Sequence, residues 1–275
     1  MTEVAWTTRR GVVVERCGEG EPVLLLHGIG GSAASYEALS EGLTCAGYAV
    51  HAWNAPGYGP SADPKPSDAD PLLALLEVVV EIGAPVRLVG TSWGGVLALR
   101  AALAIPGLIH SLVVADSTRG SGREATAQTA MAKRVAALRR EGSERFATER
   151  APRLVSPVCD ARVLEQVRRV MAQVRLTGYK AAAQMMARTD LSADLPRIRV
   201  PVLVLVGDHD RVTGLAESQA LADGLPSARL RVVTDAGHAA VTERPTACAE
   251  HMLSFWKSCF PRASITESDH MSCYE

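Results

Sequence analysis

The sequence predicts an α/β chain: a mostly parallel, doubly wound sheet interrupted by an all-helical insertion. Three observations carry this. Seven short apolar runs alternate with helical patterns toward both ends of the 275-residue chain. The runs are mostly continuous, not alternating polar with apolar residues, as strands covered on both faces require. Between residues 117 and 195 the alternation stops, and several basic amphipathic helices succeed one another without a convincing strand.

In order, strands are expected at 12–15, 22–26, 48–53, 86–90, 109–115, 200–206 and 230–233. Helices at 33–46, 71–82, 93–104, 215–224 and 246–257 fit between or after them. In the insertion, helices are expected at 124–141, 143–151, 162–176 and 179–188. The core would then be residues 1–116 and 196–262, the insertion 117–195, and the polar, aperiodic stretch 263–275 a frayed tail.

Composition removes several function classes. A net charge of −1 gives no electrostatic case for nucleic acid. Charge is nevertheless uneven, with 15 Lys and Arg against 8 Asp and Glu between residues 117 and 195. The six cysteines are widely separated, with no C-x-x-C pair and no Cys/His cluster at ligand spacing, so reduced thiols in a cytoplasmic protein are expected and no metal. Arg9-Arg10 is not followed by an export segment, because Glu15 and Arg16 cut the apolar run short. The longest apolar stretch, 72–80, is interrupted by Glu77 and closed by Glu81, too short to span a bilayer.

The most informative run is Gly90-Thr91-Ser92-Trp93-Gly94, where an apolar strand turns into a helix. A turn this sharp forces strained backbone angles on its central residue and demands small neighbours two positions away, which Gly90 and Gly94 supply. It lifts the Ser92 hydroxyl clear of the sheet and aims the Trp93 N–H at a developing oxyanion. A serine hydroxyl needs a base, and the base needs an orienting group. The strand at 200–206 runs into Asp208-His209-Asp210, and that at 230–233 into Asp235-Ala236-Gly237-His238. Groups at the carboxyl ends of parallel strands converge, so Ser92, Asp210 and His238 can meet. Asp116, ending the strand at 109–115, is the alternative acid, and Asp208 and Asp235 read as turn-forming carboxylates. Gly28-x-Gly30-x-x-Ala33 also fits a dinucleotide fingerprint, but the ribose-binding acid expected about 20 residues on is absent. No cofactor is expected.

With these motifs in order, the chain resembles the α/β-hydrolase fold family, in the cap-bearing branch of esterases, enol-lactone hydrolases, cofactor-free haloperoxidases and carbon–carbon bond hydrolases. The resemblance covers nearly the whole chain. His27-Gly28-Ile29-Gly30-Gly31 is similar to the oxyanion loop and Pro56-Gly57-Tyr58-Gly59-Pro60-Ser61 to the P-G-x-G-x-S turn. Gly207-x-x-Asp210 is similar to the acid turn, and Gly237-His238 with Glu243 and Pro245 to the histidine segment. The resemblance implies catalysis by Ser92, Asp210 and His238, with the N–H groups of Ile29 and Trp93 as oxyanion hole and His27 as a structural residue of its loop.

These motifs together lead to the expectation of a cofactor-independent serine hydrolase of a small ester or lactone. Two alternatives are a hydrolase splitting a carbon–carbon bond in a ring-cleavage product and a small-molecule receptor with slow turnover. The insertion would roof a mainly aliphatic pocket, with Met185, Met186, Leu154 and Val155 on its wall. An insertion arginine, Arg188 or Arg119, would pair with a carboxylate on the substrate. Nucleic acid and membrane are not expected partners; a homo-oligomer is left open.

Overall fold

The computed structural model describes residues 4–65 and 70–260, so the tail expected at 263–275 lies outside the described residues. Eight strands form one sheet: β1 (Val4–Thr7), β2 (Val13–Cys17), β3 (Glu21–Leu26), β4 (Tyr48–Asn54), β5 (Val86–Thr91), β6 (Ile109–Ala115), β7 (Val202–Gly207) and β8 (Ala228–Val233). Their spatial order is β1-β2-β4-β3-β5-β6-β7-β8. The pairs β1–β2 and β2–β4 are antiparallel, and every pair from β4 to β8 is parallel. All seven expected strands are present; β1 has no counterpart among them. Its four largely exposed residues pair only with β2 at the sheet edge, so they carry no buried periodicity. The start of β7 shifts from residue 200 to Val202, next to Pro201, which has no N–H to give to a ladder.

Helices α1 (Glu37–Cys45), α2 (Pro71–Ile82) and α3 (Trp93–Ala104) precede the insertion, and α7 (Gly214–Gly224), α8 (Ala240–Glu243) and α9 (Pro245–Cys259) come after it. Alternate residues of each central strand serve opposite layers. Leu24, Leu88, Val114 and Val204 pack with α2 and α3, whereas Leu25, Val89, Val113 and Leu205 pack with α1 and α9. This is why the strands read as unbroken apolar runs: both faces are covered.

The insertion between β6 and β7 holds α4 (Ala125–Arg150), α5 (Ala161–Met171) and α6 (Leu176–Arg188), with no strand among its described residues. Gly142, at φ 76° and ψ 164°, breaks α4 where the sequence separates helices at 124–141 and 143–151. The helix expected at 162–176 ends early, at Met171, and the one expected at 179–188 begins at Leu176. After α5 the chain enters an extended residue, Arg175, whose guanidinium is tied to Asp63 at 2.8 Å and to the Ser61 carbonyl, so a contact with the core redirects the chain. No helix among the described residues is long and apolar enough to cross a membrane.

The order of strands reverses between β3 and β5, and a crevice opens at the carboxyl ends of strands on either side of such a reversal. There the 27–31 loop leaves β3 and Ser92 leaves β5. The elbow is sterically exacting. A Cβ on Gly94 would lie 2.1 Å from the Leu26 carbonyl oxygen, and one on Gly90 2.3 Å from the Gly94 oxygen. Backbone cannot retreat from such a contact as a flexible side chain could. Gly94→Ala is therefore expected to lower unfolding free energy by about 2 kcal/mol or more, read from chemical denaturation. Gly107→Ala, with nothing within 4 Å of the added Cβ, should stay within about 0.5 kcal/mol of the parent.

Candidate active site

Ser92 stands between β5 and α3 at φ 54° and ψ −116°, a region that costs a non-glycine residue about 1–3 kcal/mol and persists only when the surroundings over-determine it. Its N–H donates to the Ala115 carbonyl at 2.8 Å, and its own carbonyl accepts from the Ser117 hydroxyl at 2.6 Å. Both partners lie on or just after β6, so the neighbouring strand clamps the strained residue from both sides.

The three residues expected to converge do so. Ser92 Oγ lies 3.0 Å from His238 Nε2, and His238 Nδ1 lies 3.2 and 3.1 Å from the two Asp210 oxygens. A carboxylate only accepts, so Nδ1 carries the proton toward Asp210 and Nε2 is left to accept from the serine hydroxyl. Asp210 also accepts from the N–H groups of Val212 at 2.7 Å and Thr213 at 3.2 Å, and from the Thr213 hydroxyl at 2.5 Å. Burial opposes its charge, but the hydrogen bond and charge of His238 with the Thr213 and Val212 donors outweigh that and hold the carboxyl well below the usual range.

Asp116 does not reach His238 by hydrogen bond. Its two oxygens accept from the N–H groups of Gly207 at 2.9 Å and Ala240 at 3.2 Å, fastening the acid turn and the histidine segment to the end of β6. Burial, then the nearby charge of Asp210, push its pKa well above the ordinary carboxylate range, against the pull of those two donors. Glu243 works in the same way: one oxygen accepts from Gly237 N at 2.7 Å and the other from Ser156 N at 2.8 Å, joining the residue before His238 to the insertion. Asp208 accepts from the N–H groups of Asp235 and Ala236, the turn-forming role read from sequence. Asp208, His209 and Asp235 lie close enough to share an ion, but both Asp208 oxygens serve that turn.

The 27–31 loop approaches the serine so closely that a Cβ on Gly28 would be 3.5 Å from that of Ser92. Among the described residues the N–H groups of Ile29 and Trp93 donate to no acceptor, and both residues line the pocket beside Ser92. Two tyrosines that sequence reasoning did not single out brace this region. Tyr58 donates to the Ile29 carbonyl at 3.0 Å, and Tyr36 to the Leu26 carbonyl at 2.7 Å while touching Thr91 Oγ1 at 2.8 Å. Tyr58 lies in the P-G-x-G-x-S turn, yet nothing in its spacing tells which carbonyl it reaches. His27 is structural: Nδ1 donates to Gly28 O at 2.8 Å and Nε2 accepts from Ala55 N at 3.1 Å.

The pocket wall carries the aliphatic side chains expected, among them Ile29, Met131, Val170, Met171, Met186 and Leu154, but also the aromatic Tyr36, Trp93 and Tyr179. Of the four wall residues expected, Met186 and Leu154 line it; Val155 faces an adjoining groove, and the Met185 sulfur turns to Thr189 at 3.2 Å. The two arginines expected to meet a substrate carboxylate are elsewhere. Arg119 is bound by Glu217, at 2.9 Å through Nε and 2.7 Å through Nη2, and Arg188 is exposed outside the pocket. Arg134 and Arg150 line the pocket instead.

The alpha/beta hydrolase family model matches residues 23–251, from β3 through the site to α9. The chain belongs to the alpha/beta hydrolase family. Across 263 residues it is 27% identical to a pimeloyl-[acyl-carrier protein] methyl ester esterase of Vibrio vulnificus, covering 92% of this chain and 98% of that one. It is 31% identical over 161 residues to a 3-oxoadipate enol-lactonase of Acinetobacter baylyi, 58% of each chain. Among solved structures, a thermophilic esterase from Thermogutta terrifontis superimposes with a TM-score of 0.84 at 27% identity, over 94% of this chain and 99% of that one.

His27 generates a pH prediction. Burial pushes its pKa from 6.5 down to about 4, although the Gly28 hydrogen bond pulls the other way. The unfolded chain thus binds a proton that the folded chain refuses, so stability present above pH 6.5 is lost as pH falls toward about 4, by about 3 kcal/mol. His51, pushed down to about 4 chiefly by burial, adds a similar slope. In His27→Asn the dependence of unfolding free energy on pH over this window should flatten by about one proton, measured by denaturation at a series of pH values.

Proposed function

We propose that this hydrolase cleaves a small organic ester or lactone through a Ser92–His238–Asp210 relay and an acyl-enzyme. The observation that carries the reading is the continuous chain of contacts from Ser92 Oγ through both ring nitrogens of His238 to Asp210, beneath the pocket. The esterase and enol-lactonase names of the relatives support the same bond type.

Ser92 Oγ attacks the ester carbonyl and its proton passes to His238 Nε2, while Asp210 stabilises the imidazolium and fixes the ring. The oxyanion takes hydrogen bonds from the N–H groups of Ile29 and Trp93, each such donor contributing about 3 kcal/mol to the transition state. The carbon–oxygen bond then breaks, and His238 returns the proton to the departing alkoxide. A water deprotonated by the same Nε2 attacks the acyl-enzyme, the second tetrahedral intermediate collapses, and the proton goes back to Ser92. Tyr58 is a positioning residue, since it holds the peptide carrying the Ile29 carbonyl. The helices between β6 and β7 act as a cap whose side chains choose the substrate.

The first test is intact-protein mass after exposure to a broad fluorophosphonate. One adduct is expected on the native chain and none on Ser92→Ala or His238→Ala. An adduct retained in Ser92→Ala, or absent from the native chain while small molecules bind tightly, would overturn the reading in favour of another nucleophile or a receptor. Asp210→Asn should lower kcat by about 10³–10⁴-fold with the fold intact, because the imidazole loses the partner that sets its tautomer. Asp116→Asn should act mainly on stability, by about 1–3 kcal/mol, since its carboxylate serves backbone donors.

A further inference from the structure

The arginines of the insertion divide in an instructive way. Five are half-buried: Arg119, Arg134, Arg150, Arg168 and Arg175. Three of these have carboxylates, with Arg119 on Glu217, Arg168 on Glu165 and Glu144, and Arg175 on Asp63. Arg134 and Arg150 have none among the described residues. Among the described residues the hydrogen-bond partner of Arg134 is the Met131 sulfur at 3.8 Å, and Arg150 lies over the Phe146 ring at 5.4 Å. An arginine that packs its stem against a pocket wall with no carboxylate beside it keeps its donors available to an incoming acceptor.

These two are also the arginines that line the pocket of Ser92, and they line an adjoining groove with Arg153, Arg211 and His209. No Asp or Glu among the described residues lines either surface. Tyr179, whose hydroxyl has no hydrogen-bond partner among the described residues, lines the same pocket and lies in the field of both guanidiniums. Burial lowers the Arg150 pKa, Tyr179 opposes this, and the charges of Arg134 and Arg153 lower it further, as expected of neighbouring cations with no carboxylate between them.

We propose that the substrate carries an anionic oxygen group, a carboxylate or phosphate, that binds between Arg134 and Arg150 while the aliphatic wall takes the chain leading to the ester at Ser92. This deepens the ester-hydrolase reading and rests on it for the identity of the scissile bond. The guanidinium forks would donate charge-assisted hydrogen bonds to the oxygens of that group. The Tyr179 hydroxyl would donate a further bond. Anionic esters are thereby favoured over uncharged ones of equal length.

The test uses the full chain carrying Ser92→Ala, which binds without turnover, titrated calorimetrically. The probes are monomethyl esters of linear dicarboxylic acids of increasing length, each paired with the methyl ester of the monocarboxylic acid of equal length. Phosphonate-ended methyl esters form a second arm. At least one anionic ester should bind about 10- to 100-fold more tightly than its uncharged partner, with an advantage that shrinks as salt is raised. Stronger binding in the carboxylate arm assigns the group to a small diacid half-ester; stronger binding in the phosphonate arm assigns it to a phosphate. The advantage should disappear when Arg134→Met and Arg150→Met are added together, and persist with Arg188→Met.

Equal affinity within every pair, no measurable binding of any anionic ester, or an advantage that survives loss of both arginines would overturn the proposal. Fluorophosphonate labelling of Arg134→Met/Arg150→Met on the Ser92 background establishes that the site has folded. Should that variant not fold, the native comparison of paired esters and its salt dependence decide alone. Hydrolysis of uncharged esters without any preference for charge defeats this proposal and spares the ester-hydrolase reading. Charge-selective binding without hydrolysis of any ester does the reverse.

Discussion

Everything at this site hangs on one strained residue. Ser92 occupies a positive φ, and the strain is held by its N–H bond to Ala115 and by the Ser117 hydroxyl on its carbonyl. The next helix, α3, can pack there only because Gly94 lets its backbone lie against the Leu26 carbonyl. The same approach brings the loop after β3 beside the serine, so the steric demand that creates an exposed hydroxyl also delivers backbone N–H groups to its side. Strain of this kind persists when many contacts fix it at once. Here they come from β3, β5 and β6 together.

A second layer of organisation is made of buried polar groups that act on backbone. Asp116 ties two loops to β6, Glu243 ties the histidine segment to the insertion, and His27 ties the loop after β3 to that after β4. Each satisfies donors or acceptors that would otherwise be buried without partners, which is where such groups contribute most. The aromatic rings of His27, Trp53, Tyr58 and Trp93 pack together with centroids 4.7 to 6.2 Å apart, so the loop is held by packing as well as by hydrogen bonds. Ser92, Asp210 and His238 are thus held in place by residues outside their own chain of contacts.

The insertion obeys a different logic. Where its half-buried arginines meet carboxylates they fasten helices to each other or to the core, as Arg175 does with Asp63 and Arg119 with Glu217. Where they face the pocket they meet none among the described residues, so the positive surplus legible in composition is concentrated, in its unpaired half-buried part, at the wall of the site.

The sequence by itself determined the layering and the order in which Ser92, Asp210 and His238 follow their strands. Strands covered on both faces must be apolar throughout, and a serine between Gly90 and Gly94 at a strand end has few other structural explanations. Both signals are local, so spacing carries them. Short exposed β1 was silent for the opposite reason, having no buried face. What only the tertiary structure decided are choices among chemically equivalent candidates. Asp116 and Asp210 both end strands of the same sheet, and only their three-dimensional approach to His238 tells them apart. Arg119 and Arg188 were as plausible as Arg134 and Arg150, because a guanidinium's role depends on whether a carboxylate from a distant element, here Glu217, has already claimed it. Long side chains reach partners that no spacing along the chain encodes.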